Sequence, residues 1–129
     1  MALKITLKPH ERMIIGGAVI TNGDTRSQFT IDNRVPILRE ADIIGEKEAD
    51  SPARLIYFVI QLMYIDGEKQ ATYYDSYWRV AQELIKAVPA TVAFIDQISE
   101  YLLSDRYYQA LKLTKKLMAY EEEIFDLAQ

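Results

Sequence analysis

Leu3-Lys4-Ile5-Thr6-Leu7-Lys8 places an apolar residue at every second position. Period two belongs to a strand with one face buried and the other wet. Pro9-His10-Glu11 breaks the run, and a second apolar stretch, Arg12 to Ile15, ends on Gly16-Gly17. A double glycine reads as a bulge or tight turn where side chains would clash. Ala18 to Thr21 predicts a third strand. Asn22-Gly23-Asp24 predicts a hairpin, because Asn and Gly accept positive φ. Ser27 to Ile31 predicts a fourth strand, with Phe29 and Ile31 on one face, and Asp32-Asn33 the next turn. Val35 to Arg39 predicts a fifth, set at a sheet edge by Pro36. Five short strands make a small antiparallel sheet or open barrel. So small a sheet has to pack on the rest of the chain or on a second copy.

From residue 50 the period becomes helical. Ser51 can cap a helix and Pro52 suits its first turn. Leu55, Ile56, Val59, Ile60 and Met63 form one apolar stripe, widened by Phe58 and Leu62, up to Asp66-Gly67. A second helix is expected over about Glu68 to Ala87, with Tyr74, Tyr77, Trp78, Ala81, Leu84, Ile85 and Val88 on one side. Pro89 separates it from a third, about Thr91 to Leu103, carrying Val92, Ile95, Ile98 and Leu102. Ser104-Asp105 reads as the cap of a fourth, about Arg106 to Leu127. The fold class is therefore α+β: a small antiparallel β-sheet or open barrel, then a bundle of about four helices. Residues 1–43 form the strand module and 50–129 the helical region, in one compact unit overall, with Glu40 to Asp50 as the junction.

Half of the 129 residues are hydrophobic, which supplies a core. No apolar run approaches the roughly 18 residues that cross a bilayer. The start lacks a secretory apolar region, so a cytoplasmic location is expected. Cysteine is absent, which excludes disulfides, thiolate metal sites and thiol catalysis. His10 is the single histidine, so no multi-histidine metal site exists and a Ser-His-Asp triad would rest on that residue. No cofactor, metal or enzymatic activity is expected. The net charge of −4 is uneven. Residues 1–39 hold six bases against three acids, and residues 40–129 hold nine against sixteen. The basic end could meet a polyanion that the acidic end would repel.

In a strand, Lys4, Thr6 and Lys8 share a face, as a ladder of donors about 7 Å apart. Arg39 could add a planar fork for a phosphate or a guanine edge, and Arg12 and Arg34 complete the cationic set. Such an edge suits single-stranded or loop RNA better than a duplex groove, so neither DNA nor a membrane is an expected partner. The plainer reading is the wet face of an ordinary antiparallel sheet. In the last helix, Tyr107, Leu111, Thr114, Met118, Glu121 and Phe125 alternate by four and three. That seam either closes the protein's own bundle or docks a partner through Tyr107, Leu111, Met118 and Phe125. The tyrosines fall mostly on apolar helix faces, and Lys112, Lys115 and Lys116 read as a solvated face.

Leu3-Lys4-Ile5-Thr6-Leu7-Lys8-Pro9-His10-Glu11, Ile14-Ile15-Gly16-Gly17-Ala18-Val19-Ile20-Thr21-Asn22-Gly23-Asp24 and Ile37-Leu38-Arg39-Glu40-Ala41-Asp42-Ile43 resemble the FlbT family of flagellum biosynthesis repressors. So do Pro52 to Phe58, Ile60 to Tyr64, Arg106 to Lys112 and Tyr120 to Glu123. The resemblance implies a cytoplasmic regulator that binds the 5′ untranslated leader of flagellin messenger RNA and represses translation or promotes decay. It implies FlaF in the same pathway, and in some members the regulatory sign is reversed. FlaF or flagellin could occupy the helical half, which would make the protein an adaptor or chaperone. A homodimer is expected, with the helices serving core packing, dimerisation or docking. The first 43 residues are also similar to CsrA-type RNA-binding regulators. Those are five-stranded, strand-exchanged dimers that grip GGA-containing leaders through the first strand and the arginine of the last. Carried over, this nominates Arg39 with Lys4, Thr6 and Lys8. His10 stands where both families usually have glycine, at a position suited to positive φ.

Overall fold

A computed structural model describes residues 2–128. The chain divides into two compact units, one ending at Ile43 and the other beginning at Ile44. The first contains β1 (Leu3–Leu7), β2 (Arg12–Ile15), β3 (Ala18–Thr21), β4 (Ser27–Ile31) and β5 (Ile37–Arg39). Alternation in β1 buries Ile5 and Leu7 and leaves Lys4 exposed. β1 pairs antiparallel with β4 from Leu3 opposite Ile31 to Leu7 opposite Ser27. The other three strands form a second sheet in the order β3-β2-β5. Ile5, Leu7 and Met13 make a core on which Ile15, Phe29, Ile31 and Ile37 pack.

Two turns explain the glycine pair and the odd histidine. Ile15 pairs with Ala18, so Gly16-Gly17 is a two-residue hairpin loop. Gly16 has φ 60° at the first central position, where a side chain would be strained. A Cβ there would also stand 3.2 Å from Val35 Cγ2. At Lys8-Pro9-His10-Glu11 the Glu11 N–H donates to Lys8 O at 3.1 Å. Proline second and His10 third, at φ 63°, is the pattern of a type II turn. His10 thus adopts a conformation more usual for glycine.

Two expectations for this unit are corrected. β3 and β4 are not partners, so Asn22-Gly23 makes no hairpin and instead carries the chain from one sheet to the other. Asn22 Nδ2 donates to Leu7 O (3.2 Å), Lys8 O (2.8 Å) and Thr25 O (3.0 Å), and its Oδ1 accepts from Ser27 Oγ (2.9 Å). The fifth strand begins at Ile37, because Pro36 has no N–H to give a ladder. Its carbonyl accepts from Gly16 N at 2.7 Å.

The second unit contains α1 (Pro52–Ile65), α2 (Gln70–Ala87), α3 (Val92–Leu103) and α4 (Tyr107–Ala128). Ser51 caps α1, its Oγ accepting from Arg54 N. α1 packs on both α2 and α4, and α3 packs on α4. Ile56, Val59, Ile60 and Met63 are buried on α1 as the stripe predicts, but Leu55 is exposed. Trp78 and Val92, placed on apolar faces by periodicity, are also exposed, because the neighbouring helices cover a narrower strip than the pattern marks. Gln61 is buried without penalty: its amide donates to Ile44 O and accepts from Ile44 N, both at 2.9 Å.

Ser104-Asp105 ends α3 rather than capping α4. Arg106 N donates to Tyr101 O and Asp105 N to Leu102 O, the two bonds of a Schellman motif. Asp105 takes φ 59° at the position glycine prefers. Asp105→Gly is therefore expected to raise the thermal midpoint, by up to about 1 kcal/mol of stability. A lowered midpoint would mean that the Tyr107 hydroxyl's bond to Asp105 outweighs the backbone strain.

Tyr77 is fully buried, with its hydroxyl 2.7 Å from Ser99 Oγ and donating to Ile95 O at 3.3 Å. Burial pushes its pKa from 10.0 up to about 12, with the Ser99 bond opposing the rise and Tyr74 and Asp96 adding to it. The unfolded chain releases this proton first as pH rises, so stability is whole below pH 10 and lost through about 12. Tyr77→Phe is expected to cost about 1 kcal/mol near neutrality. Denaturant melts across that alkaline window should then show a shallower decline than the native protein's, by roughly 2 kcal/mol. Parallel declines would contradict the assignment.

Candidate functional site

The outward face of the β1–β4 ribbon is polar. Lys4 stands opposite Thr30, and Thr6 opposite Gln28, whose Nε2 donates to Thr6 Oγ1 at 3.4 Å. Lys8 lies one residue beyond β1, exposed at the turn. Arg26 precedes Ser27, the partner of Leu7, and so belongs to the same ribbon end as Lys8. Sequence reasoning passed over Arg26, since only the register shows where it lies.

Arg39, at the end of β5, reaches this ribbon. Its Nη2 donates to Thr6 O at 3.0 Å and to Glu11 Oε2 at 3.3 Å. The guanidinium side chain is 43% exposed and the Glu11 side chain 16%. Glu11 Oε1 accepts from Lys8 N at 2.9 Å. That backbone bond, with the Arg39 bond and the Arg39 and Lys8 charges, holds the Glu11 carboxyl below its usual pKa against partial burial. The Arg39 bond to Thr6 O thus ties β5 of one sheet to β1 of the other across 33 residues of chain.

The remaining nominated cations stand differently. Arg12 begins β2, where Glu40 Oε1 accepts from its N–H (3.2 Å) and lies 3.7 Å from its Nε. Arg34 is exposed in the connection before β5. Among the described residues no ion pair within 4 Å engages Lys4, Lys8 or Arg34. Lys8, His10, Glu11 and Glu40 line an open hollow of about 380 Å³ beside the turn. His10 Nε2 is 3.3 Å from Asp24 Oδ1.

The helical seam divides along its length. Leu111 and Thr114 are buried in the unit's own core, and Tyr107 is half-buried with its ring 6.5 Å from Tyr64. Met118 is half-buried, while Phe125 is open to solvent. Glu121, which the seam spacing made a polar interruption, caps α1: Oε2 accepts from Ala53 N (2.9 Å) and Oε1 from Ser51 Oγ (2.5 Å). Among the described residues, no group of three His, Asp or Glu is placed to hold a metal ion, and no helix is long and apolar enough to cross a membrane.

Together these features define a small α+β protein in which a strand module with a cationic outer face precedes a four-helix unit. Residues 3–125 match the family model described as "Flagellar protein FlbT". The chain belongs to the FlbT family. It is 46% identical over 125 residues to a Bradyrhizobium diazoefficiens protein named "probable flagellum biosynthesis repressor protein FlbT 1", covering 96% of this chain and 85% of that one. The "probable flagellum biosynthesis repressor protein FlbT" of Rhodopseudomonas palustris is 44% identical over 124 residues, 96% and 98% of the two chains. The "flagellum biosynthesis repressor protein FlbT" of Caulobacter vibrioides is 37% identical over 125 residues, 95% and 89% of the two chains. No solved structure matches the chain.

Proposed function

We propose that this protein is a non-catalytic, cytoplasmic regulator of flagellum synthesis that binds the 5′ untranslated leader of flagellin messenger RNA. The observation that carries this reading is the seating of Arg39 on the Thr6 carbonyl, which adds a guanidinium to a ribbon already bearing Lys4 and Lys8. Ammonium groups on a regular strand neutralise phosphates without regard to sequence, whereas a planar guanidinium can read a base edge. Unpaired leader RNA, with its bases free, is the form such a surface takes best. Bound there, the protein would block ribosome access or admit a nuclease. The relatives' names as biosynthesis repressors support the pathway and the direction.

The test is whether protein purified under low salt carries RNA, and whether leader transcript competes with it. The reading expects a raised ultraviolet absorbance ratio that nuclease treatment abolishes. Protein free of nucleic acid, with no affinity for leader at micromolar concentration, would remove it.

A second reading has its own observation. Phe125 is 63% exposed beside a hollow of about 520 Å³ that Asp50, Arg54, Glu122 and Asp126 also line. An apolar side chain among carboxylates suits a protein segment bearing basic and apolar residues, so this face would hold flagellin or FlaF. A complex formed from purified components without nucleic acid, and weakened by Phe125→Ala, would favour it.

A further inference from the structure

We infer that Glu11 is a specificity-determining residue of the RNA site, an internal anion that occupies Arg39 until a better ligand displaces it. The inference rests on the RNA-binding reading above. Arg39 Nη2 has two hydrogens, and both are engaged, one by the Thr6 carbonyl and one by Glu11. Each forked edge of a guanidinium, Nε with Nη2 or Nη1 with Nη2, includes that nitrogen. A bidentate grip on a phosphate or on guanine O6 and N7 therefore needs one of the two acceptors to leave.

Thr6 O is main chain within β1 and cannot step aside without breaking the strand. The Glu11 side chain can. Its other oxygen is held by Lys8 N at 2.9 Å, so it can release Arg39 and keep an anchor. The Arg39 bond to Glu11, at 3.3 Å, is the longer of the guanidinium's two. A lone phosphate offers Arg39 little that the carboxylate does not already give. A guanine edge, or a phosphate fixed by the Lys4 and Lys8 contacts beside it, offers more. A ligand that offers more displaces Glu11 and bears the cost of doing so, whereas one that offers less leaves Arg39 with Glu11 and binds through the lysines alone.

The experiment titrates the full chain with flagellin leader transcript and with a scrambled transcript of equal length, at several salt concentrations. Native protein, Glu11→Gln and Asp32→Asn are compared. Asp32→Asn removes one exposed acid of the same unit that forms no ion pair with Arg39, and so measures the general charge effect. Relative to it, Glu11→Gln is expected to tighten leader RNA by about two- to fivefold and scrambled RNA by less, and to steepen the salt dependence for scrambled RNA by roughly 0.7, one phosphate more. Should Glu11→Gln lose the protection of its β-strand amides, Glu11→Asp replaces it. Aspartate keeps the charge but withdraws it from Arg39, and it is expected to shift the leader-to-scrambled ratio in the same direction. Identical behaviour of Glu11→Gln and Asp32→Asn, or an Asp variant indistinguishable from native, would overturn the role of Glu11 while leaving RNA binding in place. Native protein that binds neither transcript would instead defeat the RNA reading, and this inference with it.

Discussion

Arg39→Ala is expected to weaken leader RNA binding by about 5- to 150-fold, the equivalent of roughly 1–3 kcal/mol for one forked arginine contact. The loss should be larger for leader than for scrambled RNA, because the strand lysines proposed to meet phosphates are untouched. The substitution also removes a bond between β5 and the main chain of β1, and that loss has to be separated from lost recognition. Arg39→Lys makes the separation. Lysine keeps the positive charge and can still donate to Thr6 O, but it has no fork. It should retain much of the affinity for scrambled RNA and lose most of the preference for leader. Equal leader affinity in Arg39→Ala and native protein would show that this guanidinium is only a tie between strands.

Asn22→Ala should do the most damage to the strand unit, costing roughly 2–3 kcal/mol. The amide donates to three carbonyls, at the end of β1, in the turn that follows and just before β4, and its oxygen accepts from Ser27. Truncation leaves all four groups to find water at a partly buried place. A unit of this size has little surplus stability to absorb that. Hydrogen exchange should show faster opening of the β1 and β4 amides, and leader affinity should fall with it, since β1 presents Lys4 and Thr6. Asn22→Asp should be no better, because a carboxylate cannot donate to the carbonyls it would face. A change below about 0.5 kcal/mol in Asn22→Ala would mean that water replaces the amide fully.

Local chemistry made much of this architecture legible. The period-two run of residues 3–7, the glycine pair, Ser51-Pro52 and the stop at Asp66-Gly67 each state a backbone requirement within a few residues of themselves, and each falls where expected. Asn22-Gly23 misleads for the same reason. The dipeptide says that the chain turns, and it carries no information on whether the next strand pairs with the last one. Ser104-Asp105 was ambiguous because a polar residue with tolerance for positive φ serves a helix end as well as a helix start. The exposed Trp78 and Val92 show the limit of periodicity, which marks an apolar face without saying how wide a strip the neighbours cover.

The candidate site was half legible. Alternation put Lys4 and Thr6 on the outer face, and the fork of a guanidinium at the end of the fifth strand, together with the resemblance, nominated Arg39. That Arg39 lies against Thr6, and that Glu11 shares it, depends on pairing between segments far apart in the chain, which no local pattern encodes. Glu121 was hidden in the same way: in sequence it breaks an apolar seam, and only the packing of α4 on α1 turns it into a cap for Ala53.

Cross-linking of leader RNA to the intact protein by ultraviolet light, with the attached peptides identified by mass, locates the contact directly. Attachment within residues 3–12 and 37–39, lost on competition with unlabelled leader, is the predicted result. Attachment confined to α1–α4, with the strand peptides clean, would contradict the placement of message on the cationic ribbon.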